Sequence, residues 1–564
     1  MRLKKNIVQQ ISWFGIDKFY KYLPSFLVKK IKSIFIRKIF IISKGYNILK
    51  KRNNLDVYHK LITDFETSNF NIDEKNISSL IIDSDLSNKN EKIKQFVLRY
   101  FFSPRLKFLS LTRSVLFSLG KNKKLIFPIA PQSLFCFEKN NILINNKKSV
   151  ILWYLFVIIF YFFGLYKILR LILIIIKNFL LNKKTKFDKS AFFNQVPADN
   201  LSFANEFDNT DNYFSFFINF YNKDKQKIYN ICHGVNSIKK FKHKNINFFK
   251  SDIYHPYLNF FSFLNFLFWS FKAISLSFFD IFRGRWWHAL MLSQSAERYV
   301  VKLIDQKYIH DLYLFNNTSG HAHRPLWTYE VEKKYSKVIF YFYSLNYSPT
   351  VSADKRYKPP GILNSNWTNY FVWNKLHEEQ LNNYCKYKFN IIATSPTLYT
   401  SGSKKFIKPK QKFLTVFDIS PMRKSLYKSL LGPSAHHSTE VMIIFLTDIL
   451  DICKKYNFKL ILKIKGISSQ IDKKYLYFVK KFIKNDSVIL FDHEISSISL
   501  IQQSQFIISY PFTSTNHLAS YFNINNCFYN PSNEYILDKD LAFGSKIIYK
   551  KNELEQTICE TFKI

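Results

Sequence analysis

Two stretches near the C-terminus combine hydroxyls and lysines in patterns that could hold a phosphorylated ligand. Residues 510–517 read YPFTSTNH, directly after the apolar run Phe506 to Ser509. A hydroxyl-rich turn that opens a helix offers hydroxyl donors, backbone N–H groups and the positive end of the helix dipole to a phosphate. Thr513, Ser514, Thr515 and Asn516 are therefore candidate donor-binding residues, although Ser and Thr are also ordinary N-caps. The run FKLILKIKG ends in Lys463, Lys465 and Gly466. Alternation along a strand puts both lysines on one face, suited to neutralising a phosphate leaving group. Ser420, the last residue of FLTVFDIS, and His436, in PSAHHST, are lower-ranked donor-side candidates.

Earlier in the chain, His233 follows an apolar run in ICHGVNS, and His321, His323 and Arg324 follow another in LFNNTSGHAHRPLW. Histidine titrates near neutrality, so His321 and His233 are the candidate general bases. The spacing H-x-H has no third ligand nearby, and no metal is expected. Arg298 and Arg324 stand out in a chain that mostly uses Lys, and a guanidinium fork suits a phosphate or carboxylate, which makes them candidate substrate contacts. Asp83 and Asp85, in IIDSDLS, spell a DxD, but their polar flanks are unlike a strand end and they read as surface residues.

These loops need strands to position them. After residue 228, short β-branched or aromatic runs alternate with amphipathic segments, the pattern of βαβ units. Strands are expected at 228–232, 311–315, 337–343, 370–373 and 390–393, with a helix at 326–335. Beyond a basic linker at 403–412, strands are expected at 413–419, 459–464, 487–491, 506–509 and 526–529. Four helices separate them, at 439–456, 472–484, 498–503 and 515–522. The expected fold is α/β: two Rossmann-like domains facing a cleft, with ligands at the carboxyl ends of the strands. Further helices are expected around 24–50 and 92–119.

Composition narrows the chemistry. The 564 residues exceed one core, and 47% of them are hydrophobic. Only 12 are Gly, so the clustered glycines of Walker A, GxGxxG and GxSxG motifs are absent. The six scattered Cys contain no CxxC pair and read as reduced core thiols. A net charge of +43 implies a polyanionic partner. No nucleic-acid module is recognisable, and basic, aromatic-rich sequence beside apolar segments better matches anionic lipid.

Ser149 to Tyr166 is free of charge, and apolar sequence continues past Lys167, Arg170 and Lys177. This is membrane-length material that suits a spanning helix or an in-plane anchor about equally. A second apolar stretch, Tyr257 to Phe282, leads into Arg283, Arg285, Trp286 and Trp287, a cluster that suits either a membrane interface or simple packing. The basic N-terminus lacks the apolar core and cleavage site of a signal peptide.

SQFIISYPFTSTNHLASYFN, with Pro511, Phe512, Thr513 and Ser514, resembles the polysaccharide biosynthesis proteins named for their PFTS motif. FLTVFDISP, STEVMIIFLTDILDICKKY, LILKIKG and NYFVWNKLHEEQL support the resemblance, which spans about residues 100–535. It implies a GT-B-like glycosyltransferase that takes a nucleotide-activated sugar as donor substrate, uses no cofactor or essential metal, and builds an O-antigen or capsule type of surface polysaccharide. It also implies a lipid-linked or glycan acceptor at the cytoplasmic face of the inner membrane. The alternatives are a polyol-phosphate transferase with the same cleft and a non-catalytic membrane adaptor. The expected organisation is a mixed, basic, partly helical region at 1–148, a membrane-associating segment at 149–186, an acceptor-side domain at 187–402 and a nucleotide-donor domain at 403–564.

Overall fold

The computed structural model describes residues 60–102, 124–194, 228–317, 324–393 and 407–564, with gaps inside these ranges. The first part of the chain begins with helices α1 (Lys89–Phe102) and α2 (Asn146–Leu180), then strands β1 (Ser190–Asn194), β2 (Asn230–His233), β3 (Lys240–His243) and β4 (Ile246–Lys250). Two helices follow, α3 (Phe260–Phe282) and α4 (Trp287–Leu303). Then come β5 (Leu312–Asn317), α5 (Trp327–Lys333), β6 (Lys337–Phe342), β7 (Thr350–Ser352), β8 (Lys355–Arg356), β9 (Asn369–Val372), α6 (Lys375–Tyr384) and β10 (Asn390–Ala393).

Eight of these strands form one sheet in the order β10-β9-β6-β5-β1-β2-β4-β3. Only β3 runs antiparallel to its neighbour. Strands β6 and β9 are apolar runs buried on both faces, as parallel strands covered by helices must be. The chain order reverses between β1 and β5, so the crevice beyond their carboxyl ends is where a doubly wound sheet takes a ligand. Central strand β1 is not among the expected strands, because SAFFN is too short and isolated a run to declare itself. Of the two expected N-terminal helices, α1 overlaps the second, and 24–50 lies outside the described residues.

Helix α4 organises the first part. Most of its residues from Trp287 to Val301 are buried, with α2 and α3 packed along it. The inward face of α2 repeats at helical spacing through Trp153, Phe156, Phe160, Gly164, Ile168, Leu171 and Ile175. Gly164 is there because a Cβ would sit 2.9 Å from the Cβ, Cγ and Cδ2 of Leu292. Asn145 caps α2 through the Lys148 N–H at 3.2 Å, and Asn259 caps α3 through the Ser262 N–H at 2.8 Å. Gly284, at φ +76°, turns the chain from α3 into α4. The Trp286–Trp287 pair packs inward: Trp153 meets the Trp286 ring edge-on at 5.0 Å, and the indole N–H groups donate to Gln132 Oε1 (3.1 Å) and the Asn76 carbonyl (3.3 Å). One apolar core runs from Leu61 to Leu381, across the boundaries expected near 148 and 186.

The second part is a separate α/β unit with its own core. Its strands are β11 (Phe413–Phe417), β12 (Lys459–Lys463), β13 (Val488–Leu490), β14 (Ile507–Ser509), β15 (Asn526–Tyr529), β16 (Ile536–Leu537) and β17 (Lys546–Ile548). Its helices are α7 (Thr439–Lys455), α8 (Lys473–Phe482), α9 (Ser497–Gln503), α10 (Ser514–Tyr521) and α11 (Lys551–Phe562). Six strands form a parallel sheet in the order β13-β12-β11-β14-β15-β17. Counted along the chain this is the Rossmann order, whose ligand crevice opens between the first and fourth strands, here β11 and β14. The pair of Rossmann-like sheets is the α/β fold expected from the sequence. Strand β16 leaves the second sheet and pairs antiparallel with β7, setting Ile536 against Val351.

The contact between α2 and α4 predicts that Gly164→Ala lowers stability by about 1–3 kcal/mol through overpacking. Because Leu292 is the residue it meets, adding Leu292→Ala makes the double variant less destabilised than the sum of the two single ones. Denaturation of the three variants checks this.

Candidate functional site

The loop after β14 lies at the switch point of the second sheet. Tyr510 and Pro511 are buried and turn the chain from β14 into α10. Thr513 occupies the N-cap position of α10 with extended backbone, yet its side chain does not cap the helix. Its hydroxyl instead lies 3.2 Å from the Thr515 hydroxyl, which in turn lies 3.1 Å from that of Ser509. Ser509, Thr515 and Thr513 thus form a chain of hydroxyls leading from the strand tip to the helix start. Ser514 opens the helix and is mostly buried beside them. An uncapped first turn with three linked hydroxyls can donate to an anion through both backbone and side chains.

Strand register brings further groups to this edge. Lys463 of β12 pairs with Phe417 of β11, and Phe417 pairs with Ser509 of β14. These residues share one row and one face, with Lys463 and Ser509 about 10 Å apart by strand spacing. The Lys463 ammonium lies 5.0 Å from the centre of the Phe491 ring, on the side of β12 away from β14. Asp418, at the tip of β11, is buried and accepts a 2.5 Å hydrogen bond from the Tyr475 hydroxyl. Burial, and then the Asp418 carboxylate, raise the Tyr475 pKa well above its ordinary value, so the phenol stays a proton donor. Asp418 was readable in FLTVFDIS, but its importance depends on β11 being the first strand of the switch point.

Asn516 falls within the loop but is fully buried, and its amide donates to Asn526 Oδ1 at 2.8 Å, bracing α10 against β15. It is a strut, which corrects its expected role as a donor contact. His517 is also core, and burial pushes its pKa down to about 3. Lys465, Ser420 and His436 lie outside the described residues, as does His321. His233 closes β2, in register with Phe193 of β1, and the loop holding His321 follows β5 on the other side of β1. His233 therefore belongs to the carboxyl edge of the first sheet. Asn194, at the end of β1, reaches the same edge and went unread with its strand.

The two arginines are not placed as substrate contacts. Arg298 of α4 is buried and donates from Nε and Nη2 to Glu330 Oε1 at 2.8 and 2.6 Å, and from Nη2 to Asp83 Oδ2 at 2.9 Å. Asp83, read from sequence as a surface residue, is thus half-buried, at the edge of an ion-pair network whose centre, Arg298 and Glu330, is buried. Arg324 is equally committed: Nε donates to Thr328 Oγ1 (3.0 Å), Nη1 to Thr368 Oγ1 (2.7 Å) and Nη2 to Glu332, while the guanidinium lies 3.9 Å from the centre of the Tyr329 ring. Burial first, and Arg324 second, lower the pKa of neighbouring Lys92 to about 7. No sequence pattern announces these pairings, because the carboxylates lie far away in the chain or on another helical turn.

The fold and this loop define an α/β protein with two Rossmann-like sheets, the second opening its switch point onto a PFTS sequence. Residues 262–558, more than half of the chain, match the polysaccharide biosynthesis PFTS motif protein family, and the chain belongs to it. No curated protein matches the sequence significantly. Among solved structures, the chain is similar to UDP-GlcNAc 2-epimerase from Neisseria meningitidis bound to UDP-GlcNAc, with 10% identity over 66% of this chain and 90% of that one, at a TM-score of 0.34. It is similar to a trehalose 6-phosphate synthase from Burkholderia multivorans, with 7% identity, 66% and 89% coverage and a TM-score of 0.32. A TarM variant from S. aureus in complex with UDP gives 13% identity, 48% and 52% coverage and a TM-score of 0.27.

Truncating Arg298 to Ala leaves Glu330 buried without its forked partner, at an expected cost of about 3–5 kcal/mol. The folded fraction keeps its ligand affinity, whereas loss of a substrate contact would have the opposite signature; denaturation and ligand titration on one sample separate the two. Acid stability has its own source in His310, which is fully buried, stacked on Phe187 at 4.0 Å, and held by burial at a pKa of about 4. Its folded value lies below the ordinary 6.5, so the unfolded chain takes the proton first. Stability is therefore expected to fall as pH drops from 6.5 toward 4, and His310→Gln should flatten that part of the profile in pH-dependent melts.

Proposed function

We propose that the protein is a membrane-associated glycosyltransferase that uses a nucleotide-activated sugar to build a surface polysaccharide of O-antigen or capsule type, working at the cytoplasmic face of the inner membrane. The observation that carries this reading is the uncapped, hydroxyl-lined start of α10 at the switch point of a Rossmann-ordered sheet. It occurs in a chain whose family is one of polysaccharide biosynthesis. The donor phosphates lie against the first turn of α10, held by its N–H groups and by Thr513, Ser514 and Thr515, with Lys463 at the end of β12, two strands away, and Lys465, two residues further along the chain, adding positive charge. Departure of the nucleotide concentrates negative charge on these phosphates, and oriented donors already in place stabilise that charge without reorganising. The lipid-linked or glycan acceptor approaches from the first sheet, where His321, or His233 across β1, takes the proton from its attacking hydroxyl.

Thermal melts with CMP, UDP, GDP and their sugar conjugates test the reading. One nucleotide should raise the melting temperature of the wild-type protein, as a ligand at about 100 times its Kd stabilises by about 2.7 kcal/mol. Ser514→Ala should lose this shift and lower turnover at least about tenfold, consistent with one lost charge-assisted hydrogen bond. A folded protein that answers to no nucleotide would instead support the membrane adaptor. Product analysis separates sugar transfer from polyol-phosphate transfer.

A further inference from the structure

We infer that α2 and α3 lie side by side in the plane of an anionic bilayer, forming a two-helix wedge on the first part of the protein, and that neither crosses the membrane. This deepens the membrane-associated part of the proposed function and rests on it. Each helix gives one face to the core, but its most apolar window is only 28% buried, so most of that apolar surface faces outward. The outward stripe of α3 includes Phe261 (77% exposed), Leu264, Phe268 and Phe271 (73%), spaced by three and four residues, and continues after a gap at Phe278, Phe279 and Phe282 (77%). That of α2 includes Ile151, Leu155, Ile159, Phe162, Leu169 and Leu173. The two helices run antiparallel: Asn178 near the end of α2 donates to the Pro256 carbonyl just before α3, while Tyr161 donates to the Ile274 carbonyl and its ring lies 6.0 Å from that of Phe278. Their stripes therefore form one continuous apolar face.

Charge identifies the occupant as an anionic lipid surface. Helix α2 contains no acidic residue, and the sole carboxylate of α3, Asp280, is fully buried against His288. Exposed Arg170 and Lys177 on α2 and exposed Lys272 on α3, with exposed Arg283 and half-buried Arg285 beside the one buried carboxylate at 3.5 and 3.8 Å, leave the two helices basic wherever they are charged toward solvent. Packing rules out a spanning arrangement. The inner face of α2 rests on α4 from Trp153 to Ile175, and Lys167 pairs with Glu297 of α4 at 2.5 Å. Crossing the bilayer would carry α4, with its Arg298–Glu330–Asp83 network, into hydrocarbon along with α2.

The test uses the full chain with vesicles of phosphatidylglycerol and phosphatidylcholine in equal parts, and with phosphatidylcholine alone. Flotation is expected with the anionic vesicles, weaker by at least about tenfold in the triple variant Phe261→Ser, Phe271→Ser and Phe282→Ser, whose folding is checked by thermal melting. Lys147→Cys and Lys177→Cys, at opposite ends of α2, should both react with an impermeant maleimide added outside vesicles that carry the protein, above the background of the parental chain. Protection of one end alone would overturn the in-plane arrangement while leaving membrane association intact. Absence of flotation from a folded sample would overturn both, and self-association of that sample would assign the face to a second copy. If the triple variant does not fold, the two cysteine variants, which leave the apolar face unchanged, decide the question.

Discussion

A guanidinium buried between two carboxylates ties the first half of the molecule together. Arg298 on α4 joins Glu330 on α5 to Asp83 from the segment before α1, so three regions distant in sequence meet at one charge. A buried cation is tolerated only where its hydrogen-bonding groups are met, which makes the placement of each partner conditional on the other two. Beside it, Arg324 fixes α5 to the start of β9 through Thr328, Thr368 and Glu332. Helix α4 can be almost wholly buried because its charged and polar groups are satisfied this way, and because α2 and α3 supply the apolar cover.

That cover has a consequence. A helix that packs one flank on α4 and carries apolar residues around most of its circumference leaves the remainder facing outward. In water such a face is unfavourable, and in the interfacial zone of a bilayer it is favourable. The same layer that completes the core of the first sheet is thus the layer that meets the lipid in our proposal. The loops that the proposal assigns to acceptor and donor follow β2 and β5 in the first sheet and β14 in the second, at strand carboxyl ends, as parallel topology requires.

Most of the second sheet was legible from sequence. Phe413 to Phe417, Lys459 to Lys463 and Asn526 to Tyr529 are apolar runs of strand length, and the helices between them carry one-sided apolar stripes and polar starts such as Ser438. Their ends agree to within about two residues because capping and burial are local. Strands β1, β3, β4, β7, β8, β16 and β17 escaped detection, since two to five residues of mixed character gain strand geometry only from their neighbours in the sheet. The loop from Thr513 to Thr515 was legible as a polar helix start after a buried strand. Its linked hydroxyls were not, because they include Ser509 from the strand itself.

The sequence alone determined the α/β class, the order of the first five strands and four helices of the second unit, the family resemblance and the presence of two membrane-length apolar segments. These follow from local periodicity, which a chain carries in its own spacing. Only the tertiary structure decided that Arg298, Arg324 and Asn516 are struts, that Asp83 stands at the edge of an ion-pair network with a buried centre, and that α2 shares the core of the first sheet. Each of those roles depends on a partner brought close by folding. A side chain's type states which bonds it can make; the fold decides whether those bonds are already taken.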